Sequence, residues 1–441
     1  MPPPKNVSRR APSAPRVPLQ EPSVVVRVRP LAESGGHSGD GPPVYKRLAS
    51  WADGVVVLED AHTRQQYSFA RSILAPEATQ GEVYDAAAAE LIQAFVENEG
   101  YNVLLFAYGQ TGTGKTHTIF GPEQSWQDIR HPDCGIFPRA VAAVFDSLQA
   151  RRATTSFVLT ASAMEFYMCQ CTDLLDDNKP CLIGEDHAPV GLCSVPLEQP
   201  FDALGFMERV RAARTTRSTL MNKASGGHEG SSRSHCALIL TLRQLDLESR
   251  LCTKTTLNVM DMAGAERPSS TAEDHTSAIS AIMDYWRGKT PTTGGQGTVV
   301  NYELSALRTA VVQATEQHRM GRPLRVTKQL GTAFVEYASG CFSGSALLGM
   351  IVTLSPAPSC GWETWFSCTY GEDLRRLRAP VVPQKGKPFD QLLGACRDAA
   401  ARSAEALSKT PASGPAAKYL PRRTVQARHD ERESDLFSRI G

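Results

Sequence analysis

The residues of this chain best suited to chemistry lie in one glycine-rich stretch. It consists of Gly109, Gln110, Thr111, Gly112, Thr113, Gly114, Lys115 and Thr116. This stretch satisfies the pattern GxxxxGK[ST], whose backbone N–H groups wrap a chain of phosphates. Lys115 would reach the outer phosphates, and the Thr116 hydroxyl would bind Mg²⁺. The pattern therefore predicts a nucleoside triphosphate site, in preference to a glycine-rich structural turn.

A second requirement of such a site is an acidic residue at the end of a neighbouring strand, where it orients the metal and its waters. Asp261 meets this requirement, because it ends the strand-like run that begins at Leu257. Gly264 follows, and a glycine lets a backbone N–H approach a phosphate closely. An apolar run ending in Asp is weak by itself, but it becomes a strong signal beside the phosphate loop.

A third group of polar residues, Ser231–His235, reads SSRSH and stands just before a predicted strand. Its hydroxyls could bind Mg²⁺ and position water, and Arg233 could pair with an acid. Without the other two motifs, a polar loop that caps itself would be the better interpretation.

The elements around these motifs alternate between strand and helix patterns. Val103–Phe106 is an apolar run too short for a helix, so we predict a buried strand directly before the phosphate loop. Further strands are expected at Phe157–Tyr167, Cys236–Leu242, Leu257–Met260 and Leu347–Leu354, and helices at Phe137–Leu148, Phe206–Arg214 and Leu304–Ala314. This alternation predicts an α/β fold of the P-loop NTPase type, with a central, mostly parallel β-sheet sandwiched between helices.

The ends of the chain differ in composition from its centre. Residues 1–22 are rich in proline and basic residues, and we expect a disordered leader there. The catalytic domain is expected to span 23–380. Residues 381–441 form a basic, low-complexity tail with a possible short helix at 389–407. No sustained heptad repeat predicts a coiled coil, so we expect a monomer or a partner-dependent oligomer.

Composition excludes several classes of function. A formal net charge of +1 argues against nucleic-acid binding through bulk charge, and no apolar run is long enough to span a membrane. Eleven scattered cysteines indicate neither a disulfide framework nor secretion, so a reducing cytosol fits best. Cys169 and Cys171 form a CxC pair without a second pair at zinc-finger spacing, so we expect both to pack on one strand face.

Taken together, the motifs resemble those of the kinesin motor domain family in order and spacing. Phe106–Gly121 is similar to the family's phosphate loop, Ser231–His235 to its first switch, and Asp261–Glu266 to the DLAGSE of its second switch. Further stretches that resemble the family are Val26–Pro30, Thr79–Ala88, Gly135–Val141, Glu165–Asp176, Asn301–Leu307 at the opening of the relay helix, and Pro323–Lys328 in the microtubule-binding loop. The resemblance extends from about Ser23 to Arg378.

The resemblance implies the kinesin motor fold and an ATP-dependent microtubule motor ATPase with ATP and Mg²⁺ as cofactors. Thr116 and Ser232 would approach the metal, and Asp261 would reach it through water. Gly264 would sense the γ-phosphate, while Arg233 pairs with Glu266 as the switches close.

The resemblance also implies contacts to the base and to the filament. Adenine would lie against Arg27, Pro30 and His117. Arg325 and Lys328 would bind the acidic surface of tubulin, which places the chain on microtubules of the cytoplasmic cytoskeleton.

Several positions depart from the family pattern. His228 stands where an asparagine is usual, Ala265 replaces a serine of the second switch, and Glu303 replaces a serine near the relay-helix start. The segment 267–300 is longer than usual, so we expect a mobile loop. Pro380, Pro383 and Pro388 limit strand pairing of the docking segment.

These departures leave a second hypothesis open: a non-motile or weakly hydrolysing nucleotide-binding, microtubule-associated scaffold protein. A P-loop enzyme acting on small molecules is a third and much weaker interpretation.

Overall fold

The computed structural model describes residues 19–30, 47–60, 63–69, 72–184, 187–222, 233–265, 277–322, 332–357, 360–410 and 420–440. The strands are β1 Ser23–Val28, β2 Arg47–Ala52, β3 Val55–Glu59, β4 Arg64–Ser68, β5 Ser72–Leu74, β6 Val103–Tyr108, β7 Thr155–Tyr167, β8 Gln170–Asp173, β9 Lys179–Ile183, β10 Pro189–Val190, β11 Val195–Leu197, β12 His235–Asp246, β13 Leu251–Asp261, β14 Leu347–Leu354 and β15 Lys387–Pro388. The helices are α1 Gln80–Ala87, α2 Ala89–Val96, α3 Lys115–Phe120, α4 Ile136–Ala150, α5 Asp202–Asn222, α6 Ala278–Trp286, α7 Thr293–Arg319, α8 Ala333–Gly340, α9 Gly361–Arg375, α10 Phe389–Ser408 and α11 Leu420–Ile440.

The main sheet is mixed, with the strand order β10-β9-β8-β7-β12-β13-β6-β14-β1-β5. Strand β6 pairs in parallel with both β13 and β14, and β14, β1 and β5 continue the parallel half. From β13 through β12 to β7, the pairing is antiparallel. A smaller antiparallel sheet contains β2, β3 and β4. The predicted α/β fold is confirmed, and the parallel strands are those that surround the phosphate loop.

Strand β6 shows why the sheet has two apolar cores. Successive side chains of a strand point to opposite faces, so Val103 and Leu105 pack with α1, α2 and α4. Leu104 and Phe106 enter a second core against α7, α8 and α9. All six residues of β6 are buried, as expected for a strand covered on both faces.

The prediction of a long mobile loop at 267–300 is wrong for residues 277–300, which are largely helical. Thr292 caps α7 by accepting a hydrogen bond from the Gly295 amide. A Cβ at Gly295 would lie 3.2 Å from the Cβ of Ala281 on α6, so glycine permits close helix packing. Tertiary packing therefore outweighs the poor helix propensity of this glycine-rich segment. Helix α7 begins at Thr293, eight residues before the predicted opening of the relay helix at Asn301.

The tail is more ordered than its composition suggests. Helix α10 matches the predicted 389–407 helix within one residue, whereas α11 was not predicted. Both pack against the sheet, where Phe389, Phe437 and Ile440 join Leu245 and Cys252 in a small apolar core. Before α10, only the two residues of β15 pair with β13, consistent with the limit that the prolines impose. Within the described ranges, no helix combines the length and apolar character needed to cross a bilayer.

Candidate functional site

The phosphate loop connects the carboxyl end of β6 to the short helix α3. Gly112 and Gly114 have φ angles of 78° and 95°, which side chains of L-residues rarely adopt. Gly109 is required for a different reason, because a Cβ there would overlap the carbonyl of Thr353 at the end of β14. The hydroxyl of Thr113 also contacts the Thr353 hydroxyl at 2.7 Å, so the loop is braced against the sheet.

Lys115 is held at the loop by backbone carbonyls. Its Nζ donates hydrogen bonds to the carbonyl oxygens of Gly109 at 2.9 Å and Gln110 at 2.8 Å. The residue is 7% exposed, so its charge lies in a nearly enclosed site. A buried ammonium at this position is suited to binding phosphate oxygens.

Asp261 lies at the carboxyl end of β13, beside the loop. Its Oδ2 accepts a hydrogen bond from the Thr116 hydroxyl at 2.8 Å. Its Oδ1 is buried and has no hydrogen-bond partner among the residues that the structure describes. Hydroxyl and carboxylate oxygens are the ligands that Mg²⁺ prefers, directly or through water. The residues present therefore fit Mg²⁺ at Thr116, with Asp261 oriented to bind its waters.

The segment after Asp261 returns to the phosphate loop. The Ala265 amide donates a hydrogen bond to the Gly109 carbonyl at 3.1 Å, and Gly264 is buried next to it. Movement of this segment would therefore alter the hydrogen bond to Gly109, the first residue of the loop.

Two buried residues of the site were missed. Nη1 of Arg214 lies 3.2 Å from Asp261 Oδ2, and its Nε lies 3.5 Å from Glu165 Oε1. Glu165 also accepts a 2.6 Å hydrogen bond from the Ser234 hydroxyl. The signal for Glu165 was present in the sequence, since it is the single charged residue of a strand that is otherwise uncharged.

His235 connects the first-switch segment to the helices of the second core. Its Nδ1 accepts a hydrogen bond from the Ala263 amide, and its ring stacks on Phe334 with centroids 3.9 Å apart. Its Nε2 lies 3.8 Å from Oε2 of Glu303 in the interior of α7. Burial lowers the pKa of His235 to about 3 and raises the pKa of Glu303 to about 8. At pH 7 this contact therefore joins two neutral side chains.

Of the residues predicted to contact adenine, Arg27 and His117 are joined by hydrogen bonds through Gln80, whereas Pro30 is exposed. Arg27 donates hydrogen bonds to Gln80 Oε1 at 3.0 Å and Thr118 Oγ1 at 2.8 Å, and Gln80 donates to the His117 carbonyl at 2.7 Å. Burial lowers the pKa of the Arg27 guanidinium. Pro30 is exposed beyond the end of β1. Arg29, which was not predicted, donates to the carbonyl of Gly112 in the phosphate loop.

Several predicted positions lie outside the described residues: Ser231, Ser232, His228, Glu266, Arg325 and Lys328. Arg233 is described, and its Nη1 donates a 3.2 Å hydrogen bond to Gln296 Oε1 near the start of α7. The segment 323–331, which contains both predicted filament contacts, connects α7 to α8.

The CxC cysteines do not share one face. Cys169 lies in the turn after β7 and contacts Glu303, whereas Cys171 on β8 has its Sγ 3.1 Å from the Sγ of Cys181. In the described parts of the chain, no group of three or more His, Cys, Asp or Glu side chains could hold a metal ion.

A phosphate loop between a buried parallel strand and a helix, with an acid at the end of the neighbouring strand, defines a P-loop nucleotide-binding domain. The family model described as "Kinesin motor domain" matches residues 27–377. This chain therefore belongs to the kinesin motor domain family.

Individual relatives agree with this assignment. The chain is 34% identical over 343 residues to kinesin-like protein Klp61F of Drosophila melanogaster, covering 74% of this chain and 29% of that protein. It is 28% identical over 364 residues to kinesin heavy chain isoform 5C of Homo sapiens, covering 81% and 34%. The chain thus spans about a third of the length of these curated relatives.

The fold also matches a solved structure, described as "Structure of a fast kinesin: Implications for ATPase mechanism and interactions with microtubules". The TM-score is 0.63 at 22% identity, and the match covers 83% of this chain and 94% of that one. The kinesin motor fold is thereby confirmed.

Proposed function

We propose that this chain is an ATP-dependent microtubule motor ATPase that couples ATP hydrolysis to microtubule binding and movement on the cytoplasmic cytoskeleton. The observation that carries the proposal is the hydrogen-bonded group formed by Thr116, Asp261, Gly109 and Ala265. This group places a hydroxyl suited to Mg²⁺, a carboxylate whose Oδ1 has no hydrogen-bond partner among the described residues, and the second-switch backbone at one phosphate loop. Such an arrangement is required for positioning and charge stabilisation in phosphoryl transfer.

Each residue has a defined part in this mechanism. Lys115 would bind phosphate oxygens, and Thr116 and Ser232 would hold Mg²⁺, which would neutralise charge on the phosphates. Asp261 would orient the metal's waters, and the Gly264 amide would contact the γ-phosphate. The pairing of Arg233 with Glu266 then closes the site around the attacking water.

Contact with the filament is assigned to Arg325 and Lys328. A charged contact with the acidic tubulin surface weakens as ionic strength rises, because salt screens exposed charges. Exchanging both residues for alanine should lower microtubule affinity at least severalfold while basal ATPase activity stays unchanged. Unchanged affinity would move the contact to another surface.

The rival proposal, a non-motile or weakly hydrolysing scaffold, is favoured by two observations. Ala265 lacks the hydroxyl that the family's serine supplies. Glu303 is 1% exposed inside α7, where it contacts the first-switch residue His235, instead of standing near the helix start. Ala265 donates to the phosphate loop and Glu303 contacts His235, so both changes lie near the nucleotide site.

Cosedimentation with microtubules separates the two proposals. A coupled motor should bind microtubules with clearly different affinities in the presence of a non-hydrolysable ATP analogue and of ADP. Equal affinities in the two nucleotide states would favour the scaffold and contradict the motor.

A further inference from the structure

A cavity of about 470 Å³ lies between α11 and the sheet, well separated in sequence from the phosphate loop. Its walls come from β7, β12, β13, the segment 187–194, α8 and α11. The side chains used below are Arg243, Lys254, Tyr337, His429, Arg432 and Glu433. This cavity is not part of the nucleotide site, and the motifs that resemble the kinesin family predict no function for it.

Arg243 of β12 is the central feature of the cavity. It is 2% exposed, and its Nη2 donates to Oε1 of Glu433 on α11. Its Nε and Nη1 are buried and have no hydrogen-bond partner among the described residues. Leaving charged donors without acceptors in a buried site is costly. An acceptor within the cavity would remove that cost.

The charges around the cavity are unbalanced. Glu433 is the one carboxylate among the lining residues, and it is shared between Arg243 and Lys254, whose Nζ lies 3.2 Å from its Oε2. Arg432 adds a third fixed cation. The side chain of Lys254 is 45% exposed, so its ammonium stays in contact with water, and burial lowers the pKa of His429. Arg243, Lys254 and Arg432 therefore outnumber the single lining carboxylate around a partly open cavity.

The remaining walls are suited to an oxyanion with a polar body. The hydroxyls of Ser162 and Thr241 line the cavity. Those of Thr160, Thr256 and Tyr337 also line it, but they already donate to Thr241 O, Asn102 Oδ1 and Asn258 Oδ1. A guanidinium presents paired N–H groups that match the oxygens of a phosphate, and hydroxyls can donate to the same oxygens. A volume of about 470 Å³ suits a small molecule.

We propose that this cavity binds a small phosphate-bearing molecule, held by Nε and Nη1 of Arg243 together with Lys254 and Arg432. Because Arg243 and Lys254 lie on the sheet and Arg432 lies on α11, the ligand bridges the C-terminal helix to the motor core.

The test uses isothermal titration calorimetry with inorganic pyrophosphate as the probe. The full chain carries Lys115→Ala, so that the phosphate loop does not compete, and titration with NaCl at equal ionic strength gives the background. Arg243→Gln and Arg432→Gln are added singly. Arg428→Gln is the matched control, because Arg428 is exposed on the same helix and does not line the cavity.

We expect pyrophosphate to bind the Lys115→Ala chain and its Arg428→Gln derivative equally, and to bind both other derivatives at least tenfold more weakly. Heat no greater than the NaCl background would overturn the proposal, as would full affinity in Arg432→Gln. If circular dichroism shows that Arg243→Gln does not fold, the half-buried Arg432 decides the outcome alone.

Discussion

Asp261 can serve a metal site because other residues hold it in place. Arg214 lies between Asp261 and Glu165, and all three are buried. The guanidinium contacts Asp261 through Oδ2 and leaves its Oδ1 without a hydrogen-bond partner among the described residues. Arg214 and Glu165 were not recognised from the motifs, because the contacts of Arg214 join α5 to β7 and β13, which are far apart in sequence.

Arg214→Ala should lower the free energy of unfolding by about 3–5 kcal/mol, because it leaves two buried carboxylates without their cation. Urea unfolding measures this loss. Arg209→Ala, at an exposed position of the same helix, should change stability by less than about 0.5 kcal/mol. A loss below about 1 kcal/mol for Arg214→Ala would show that the pairing is unimportant.

Binding and turnover should separate at the phosphate loop and the second switch. Lys115→Ala should abolish nucleotide binding, because it removes the buried ammonium that we propose binds the phosphates. Glu266→Ala should spare binding and stop turnover, because it removes the residue that we propose pairs with Arg233. Fluorescent-nucleotide titration and phosphate release measure the two effects, and equal loss of binding in both variants would refute the assigned roles.

The buried Glu303 should make stability depend on pH. Its folded pKa of about 8 lies above the ordinary 4.5, so the folded chain keeps a proton that the unfolded chain releases. The free energy of unfolding therefore falls as pH rises between these values. His235 has the opposite sign, but its effect ends near its ordinary pKa of 6.5.

From pH 6.5 to 8, the wild type should therefore lose stability relative to Glu303→Gln, by on the order of 1 kcal/mol per pH unit. Glu316→Gln, exposed on the same helix, should follow the wild type. Thermal unfolding across this range is the measurement. Parallel profiles of the wild type and Glu303→Gln would show that Glu303 is ionised in the folded chain.

Helices α10 and α11, the C-terminal hairpin, pack against each other and add a small apolar core at the sheet. Helix α11 buries Leu436, Phe437 and Ile440 near its end, and Phe437 also lies under the Arg243 guanidinium at 5.7 Å. Its remaining length is largely polar, so its place depends on few apolar contacts and on the ion pair between Glu433 and Arg243.

Phe437→Ala should release α11 from the sheet and lower the free energy of unfolding by about 3 kcal/mol. During limited proteolysis, the tail should then be cleaved earlier in time than the motor domain. Ser438→Ala, exposed next to it, is the matched control and should resist like the wild type. A tail in Phe437→Ala as resistant as in the control would mean that other contacts hold the helix.

Elements with strong local patterns were predicted from the sequence, and those that depend on packing were not. The apolar run of β6 and the glycines of the phosphate loop each have one physical interpretation, so both were found. The start of α7 was missed because Gly294, Gly295 and Gly297 favour a loop unless a neighbouring helix packs closely. Helix α11 was missed because charged residues dominate it and only a few apolar ones mark its buried face.

At the scale of the whole molecule, β13 connects the nucleotide site to the C-terminal hairpin. Asp261 at its carboxyl end belongs to the nucleotide site, and Cys252 near its amino end packs with the C-terminal hairpin. Cys252 and Asp261 are nine positions apart, which corresponds to roughly 30 Å along a strand. The site motifs could be predicted because they are local in sequence, whereas this long-range arrangement follows from the folded sheet.

The central claim is that the nucleotide site is coupled to microtubules. Its most direct test is the steady-state rate of phosphate release from the purified chain, with and without microtubules, beside Lys115→Ala as the inactive control. We predict that microtubules raise the rate at least tenfold in the wild type and leave Lys115→Ala at background. A wild-type rate that does not rise on adding microtubules would contradict the account.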